Sequence, residues 1–261
     1  MIEIKTCYSN RQNSGQVLII AALLVTMILV SATLFIAETK QNIPVHKSKS
    51  NLVFSVYKLG IVNTVISSLG NISNGGSENI FAQNLNKFKS VVLRNSFNSI
   101  VDMEFAPLDN PPYQDGFWIS WNSNGKGITS AVTNVFINST ELTGIFSTNQ
   151  EINVTSELDV NGYYTLMNES HKQATISIKV FNEAKPALAN NFTIYYEQDG
   201  DLSIEEWVKV DSFSTANFGN GTYSLSFTVQ TISQDDPLLI SVQCHDLRHI
   251  FVKTNFKCIQ T

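Results

Sequence analysis

The chain has 261 residues and a net charge of −5, and only 15% of its side chains are charged. Uncharged polar residues take their place: 27 Asn, 28 Ser and 20 Thr. No basic cluster occurs, which excludes nucleic acid as a partner, and the length allows one or two domains beyond any terminal segment.

Val17 to Ala37 contains no charge and no proline. About 20 such residues, as a helix rising about 1.5 Å per residue, span a hydrocarbon core. The run therefore predicts a transmembrane helix over 16–40, placing the chain in the plasma membrane in a single pass with lipid as a partner. Lys5 and Arg11 precede the run, whereas Glu38 and Lys40 follow it and cancel. That bias puts the N-terminus in the cytoplasm and the C-terminal part outside the cell. A cleaved signal peptide is the competing reading, with Ser31-Ala32-Thr33 as a candidate cut site.

The polar leader 1–15 ends in Gly15, followed by Gln16 and the apolar run. This arrangement resembles the class III leader of archaeal type IV pilin-like proteins. The resemblance covers residues 11 to 40 and implies cleavage between Gly15 and Gln16, with self-association through the N-terminal helix. Two positions depart from the family pattern: Arg11 lies four residues before the glycine, and Ile20 stands where bacterial members carry glutamate. An uncleaved signal anchor is the alternative.

Residues 41–100 predict a helical stem. Val53, Tyr57, Ile61, Val65 and Leu69 recur at helical spacing, after a break at Pro44. Gly75-Gly76 marks a turn. Phe81, Leu85, Phe88 and Val92 then share one face of a second helix.

From about residue 100 the apolar period becomes two. Residues 101–160 predict a β meander. One hairpin is expected at Asn124-Gly125, between Gly116–Trp121 and Thr129–Ile137. A second is expected at Asn161-Gly162, between residues 151–160 and 163–167. Residues 161–261 alternate most cleanly, through Ile176, Ile178 and Val180, then Phe192, Ile194 and Tyr196, then Tyr223, Leu225, Phe227 and Val229. Seven short strands at this spacing predict an antiparallel β-sandwich. The fold class expected for the whole chain is α+β, with a long N-terminal helix, a helical stem and a sandwich ectodomain.

The runs Ile176–Glu183, Asn191–Gly200 and Gly221–Phe227 are similar to strands of Ig-like cell-surface domains of the CARDB type. That resemblance implies a stalk, adhesion or assembly module without chemistry.

Candidate sites are few. Cys7 precedes the apolar run. Cys244 and Cys258 suggest a disulfide outside the cell, with two free buried thiols as the alternative. Asn-x-Ser/Thr sequons stand at Asn71, Asn138, Asn153, Asn168, Asn191 and Asn220, close to the roughly five that this composition gives by chance. His245, Asp246 and His249 sit beside Cys244, but strand neighbours point to opposite faces, which disfavours a shared metal. Asp199, Asp201, Glu205 and Glu206 lack the spacing of a calcium loop. Trp118, Trp121 and Trp207 read as core or sheet-face residues. His46 and His171 stand alone.

No nucleophile elbow, phosphate loop or zinc-helix motif occurs, so no enzyme and no cofactor are expected. The expected function is a pilin-like or envelope subunit with an Ig-like module. The alternative is an adhesion or receptor-like protein that binds an unknown surface protein or glycan.

Overall fold

The computed structural model describes Thr26 and residues 54–95, 99–141, 144–198, 207–233 and 235–261. The chain divides into two compact units, Met1–Val56 and Tyr57–Thr261. Every described strand belongs to the second unit.

Among the described residues the fold is mostly antiparallel β-sheet, with two short helices. None of these helices is long and apolar enough to cross a membrane. This corrects the expected α+β class with its spanning helix, and with it the expected single-pass plasma-membrane location. The leader, with Gly15 and Gln16, lies outside the described residues, as does the run Val17–Ala37 apart from Thr26. The first described helix is amphipathic. In α1 (residues 54–73), Ile61, Val65, Leu69 and Ile72 are buried, while Lys58, Asn63 and Ser67 are exposed. A stripe on one face suits a helix lying on a sheet.

α1 ends at Asn74-Gly75-Gly76. Gly75 takes φ +88°, a left-handed value that glycine reaches without penalty. α2 (Ile80–Asn95) buries Phe81, Leu85 and Val92. It runs beside α1, with Asn84 Nδ2 donating to Ser68 Oγ at 3.0 Å.

Among the described residues, thirteen strands form two sheets. The larger contains β1 (Ser99–Pro107), β2 (Phe117–Trp121), β3 (Lys126–Glu141), β4 (Gly144–Leu166), β5 (His171–Asn182) and β6 (Lys185–Pro186). β9 (Ser214–Asn217), β10 (Thr222–Gln230) and β13 (Ile259–Gln260) complete it. The main order is β1-β3-β4-β5-β10-β9. β1 and β2 lie end to end along one edge of β3, covering residues 133–141 and 127–131 of it. The smaller sheet has the order β12-β11-β7-β8, from β7 (Ala189–Glu197), β8 (Trp207–Lys209), β11 (Leu239–Asp246) and β12 (Phe251–Lys257).

The core has two regions. α2 packs on β1, where Val101 and Met103 are buried and alternate with exposed Asp102 and Glu104. The second region lies between the sheets. There Ile176, Ile178 and Leu225 of the larger sheet pack with Ile194, Ile240 and Val242 of the smaller one, all at 0% exposure. Each such side chain contributes about 1.5–3 kcal/mol when fully buried, so this sandwich-like layer dominates stability.

β4 corrects the expected second hairpin. It runs unbroken through Asn161-Gly162, and Gly162 pairs with Ile176 of β5. A Cβ there would lie 2.7 Å from Ile176 Cγ2 and 2.8 Å from the Thr175 carbonyl oxygen. The glycine answers a need for space rather than for a turn. Asn124-Gly125 does form the β2–β3 connection. Gly125 has φ +84°, and a Cβ on it would meet the Val160 carbonyl oxygen at 2.3 Å.

Candidate functional site

Charge is concentrated where β4 and β5 part. The two strands pair from Ser156, opposite Asn182, toward the C-terminal end of β4. Just before that point Thr155 keeps one backbone bond on this side, with the Glu183 N–H donating to its carbonyl at 3.2 Å, and side chains supply the rest. Glu183 Oε1 accepts the Thr155 N–H at 2.9 Å. Arg248 Nη2 donates to the Thr155 carbonyl at 2.9 Å. Arg248 also donates to Glu183 Oε1 at 2.6 Å through Nη1, and to Asp246 Oδ2 at 2.7 Å through Nε.

Asp246 itself is fully buried. Its Oδ1 accepts the N–H groups of Arg248 and Ile250, at 2.8 and 3.0 Å. The carboxylate thus organises the tight β11–β12 turn, in which His249 takes φ +64°. A charge taken out of water needs this full set of partners. The cluster ties the β11–β12 turn to the end of β5, with Glu183 Oε1 and both Asp246 oxygens taken up in these bonds.

The same turn secures the end of α1. His245 Nε2 is 2.9 Å from Asn74 Oδ1, Asn74 Nδ2 donates to the His249 carbonyl at 3.2 Å, and Phe251 N–H donates to Ser73 Oγ at 3.0 Å. His245, a metal candidate by sequence, packs its ring 5.2 Å from Phe251. His249 is exposed and serves through its backbone. No group of three or more His, Cys, Asp or Glu among the described residues is placed to hold a metal. Asp199, Asp201, Glu205, Glu206 and His46 lie outside the described residues, as does Cys7.

The expected Cys244–Cys258 disulfide is not formed, and both thiols are free and buried. The register explains it. Cys244 lies opposite Val252, whereas Cys258 follows β12 and donates its N–H to the Leu238 carbonyl. The two sulfurs are separated by six residues along the β11–β12 ladder, about 20 Å at 3.3 Å per residue. A disulfide needs Cα atoms within about 7 Å. Burial pushes the Cys258 thiol up to about 12. Burial, and then the Asp246 carboxylate, push Cys244 up as well. Neither sulfur is a nucleophile at neutral pH.

Lys172 is fully buried. Its Nζ donates to the Asp236 carbonyl at 2.5 Å and stands 5.1 Å over the Tyr164 ring. Burial lowers the ammonium pKa, with Asp236 and Asp235 opposing that shift. Trp121 donates to Thr129 Oγ1 at 3.1 Å and meets Phe251 edge-on at 5.4 Å, and Trp118 meets Tyr113 edge-on at 5.9 Å. His171 belongs to the Asn168 turn, with Nδ1 3.0 Å from Asn168 Oδ1.

All six sequon asparagines are exposed. Several are already engaged locally. Asn153 Oδ1 accepts the Thr155 hydroxyl at 2.8 Å, Asn168 Oδ1 accepts the His171 N–H at 2.8 Å, and Asn220 Oδ1 accepts the Thr222 N–H at 3.2 Å. Asn71 lies in the last turn of α1, Asn138 on β3, and Asn191 on β7 at φ +54°.

Among the described residues, an open groove of about 360 Å³ lies between the helices. Asn63, Thr64 and Ser67 line it from α1, and Asn84, Lys87, Phe88 and Val91 from α2.

Sequence reasoning missed Arg248 and Glu183. They are 65 residues apart, and no local pattern pairs them. The turn after Asn182 that presents Glu183, where Glu183 and Ala184 both take positive φ, shows only in the structure.

The chain matches no protein-family model and no curated protein.

Proposed function

We propose that this protein is a non-enzymatic structural subunit of the pilin-like or envelope class, with an Ig-like β module as its working surface. One observation carries the reading. The charged cluster of the described residues, Asp246–Arg248–Glu183, is consumed in bonds that hold the sheets. The buried thiols, raised by burial, are equally inert. These groups are taken up by the fold, and a surface rich in Asn, Ser and Thr is left to make contacts.

The leader supports the assembly side of this reading. Gly15-Gln16 supplies a processing site, and the uncharged run Val17–Ala37 supplies a self-association segment. Mass spectrometry of the N-terminal peptide of the native protein, with electron microscopy of the full chain, tests it. A mature start at Gln16 is expected, with polymers that are lost in Leu23→Asp. A start at Met1 and a monomeric wild type overturn it in favour of an adhesion or receptor-like protein that binds a surface protein or glycan.

A further inference from the structure

Charge is segregated along this chain. Residues 54–95, which make the helices, hold four Lys or Arg and one Glu. Residues 96–261 hold eight Lys or Arg against 19 Asp or Glu. The segregation has a geometry.

On α2, Lys87, Val91 and Arg94 are exposed at spacings of four and three, so they form one row. Leu59 and Asn63 form the neighbouring exposed row on α1. Lys87, Val91 and Asn63 line the α1–α2 groove, and Arg94 and Leu59 carry the two rows on beyond its lining, which gives the groove a basic edge. The opposite side of the β1–β3–β4 layer carries the reverse character. Ile100, Thr140 and Ile145 align in one cross-strand row; Asp102, Asn138 and Ser147 make the next; Glu104, Phe136 and Asn149 the third. Ile100 and Ile145 are 78% and 81% exposed, and Phe136 is 42% exposed. Isolated apolar residues on a surface are ordinary, but a set of three interleaved with exposed acids is a patch with a sign.

These two faces cannot meet within one molecule. α2 covers the side of β1 that buries Val101 and Met103, and the acids of β1 point the other way. We infer that the basic α1–α2 groove of one copy docks on the acidic outer face of the β1–β3–β4 sheet of a second copy, head to tail. The inference rests on the reading of the protein as a self-assembling subunit, and it names the contact.

Lengths agree. Lys87 and Arg94 are about 10 Å apart along a helix, and Asp102 and Glu104 about 7 Å apart along a strand, a difference that long side chains absorb. Ile100 and Ile145 are the apolar counterparts of Val91 in the groove and of exposed Leu59 beyond it. Because donor and acceptor faces lie on opposite sides, the contact is heterologous and leaves a free face at each end, so it propagates. Asn138 sits in the middle of the acidic face, and the contact requires that sequon to carry no glycan.

The test compares full-length wild type with K87E/R94E and D102K/E104K by sedimentation at low and high salt, with circular dichroism to confirm folding. Each double reversal alone should weaken association by about tenfold or more at low salt. An equimolar mixture should restore it, because every groove then finds a sheet of opposite sign. Carbodiimide should join Lys87 of one copy to Asp102 or Glu104 of another. Wild type that associates while both reversals leave it unchanged overturns this contact and leaves the assembly reading standing. Wild type that is monomeric at low salt overturns both. A glycan on Asn138 of the native protein overturns the contact alone.

Discussion

Removing the guanidinium of Arg248 would leave Asp246, with no exposed surface, facing an interior without its counter-charge. Breaking a buried pair from one side typically costs about 3–5 kcal/mol. Arg248→Ala should therefore lower the urea midpoint severely. Glu183→Gln, at a side chain 42% exposed, should cost under about 1 kcal/mol. Equal effects would show that the charge on Glu183 matters as much as that on Asp246. The thiols make a second prediction. In the unfolded chain they ionise near about pH 8.5, but in the folded chain Cys258 holds its proton to about 12. Folding thus favours the neutral thiol, so its contribution is complete below about pH 8.5 and is lost as the pH climbs toward 12. Urea titrations from pH 8 to 11 should show falling stability, with a shallower fall in Cys258→Ala. Iodoacetamide should label neither Cys244 nor Cys258 until urea unfolds the chain.

β4 shows how far local pattern reaches and where it stops. Alternation at Ile176–Val180 and Tyr223–Val229 was legible because half-buried strands repeat every two residues, and both became strands in the expected phase. The two helices were equally legible from the spacing of Ile61, Val65 and Leu69 and of Phe81, Leu85 and Val92. Asn161-Gly162 failed because the dipeptide signals two different needs. One is positive φ in a turn; the other is room for a neighbouring strand. Only the position of Ile176 tells them apart. Gly162→Ala should cost about 1–3 kcal/mol through that clash. A neutral result would mean that β4 and β5 yield there. The Cys244–Cys258 expectation failed for a related reason. Fourteen residues of separation suits a bridge between neighbouring strands, but register decides which residues face each other, and Cys258 falls opposite Leu238. β13, a two-residue parallel pairing with β4, leaves no periodic trace at all.

In the unit Tyr57–Thr261, long-range order is held by groups whose partners are remote in sequence. Asn74 reaches residues 245 and 249, and Thr129 donates to the Phe251 carbonyl at 2.9 Å. No reading of composition or period finds such pairs, so the candidate site was less legible than the fold. The segregation of charge, by contrast, was written in the sequence throughout, and became informative only once the helices and the acidic strand faces were known to lie on opposite sides of one layer. β4 belongs to that layer in its first half and to the sandwich-like core in its second. Tension applied along it would load its hydrogen bonds with β3 and β5 in shear, all together rather than one after another. A subunit built around such a strand transmits pull from one region to the other without a hinge between them, as a tie rod does in a frame.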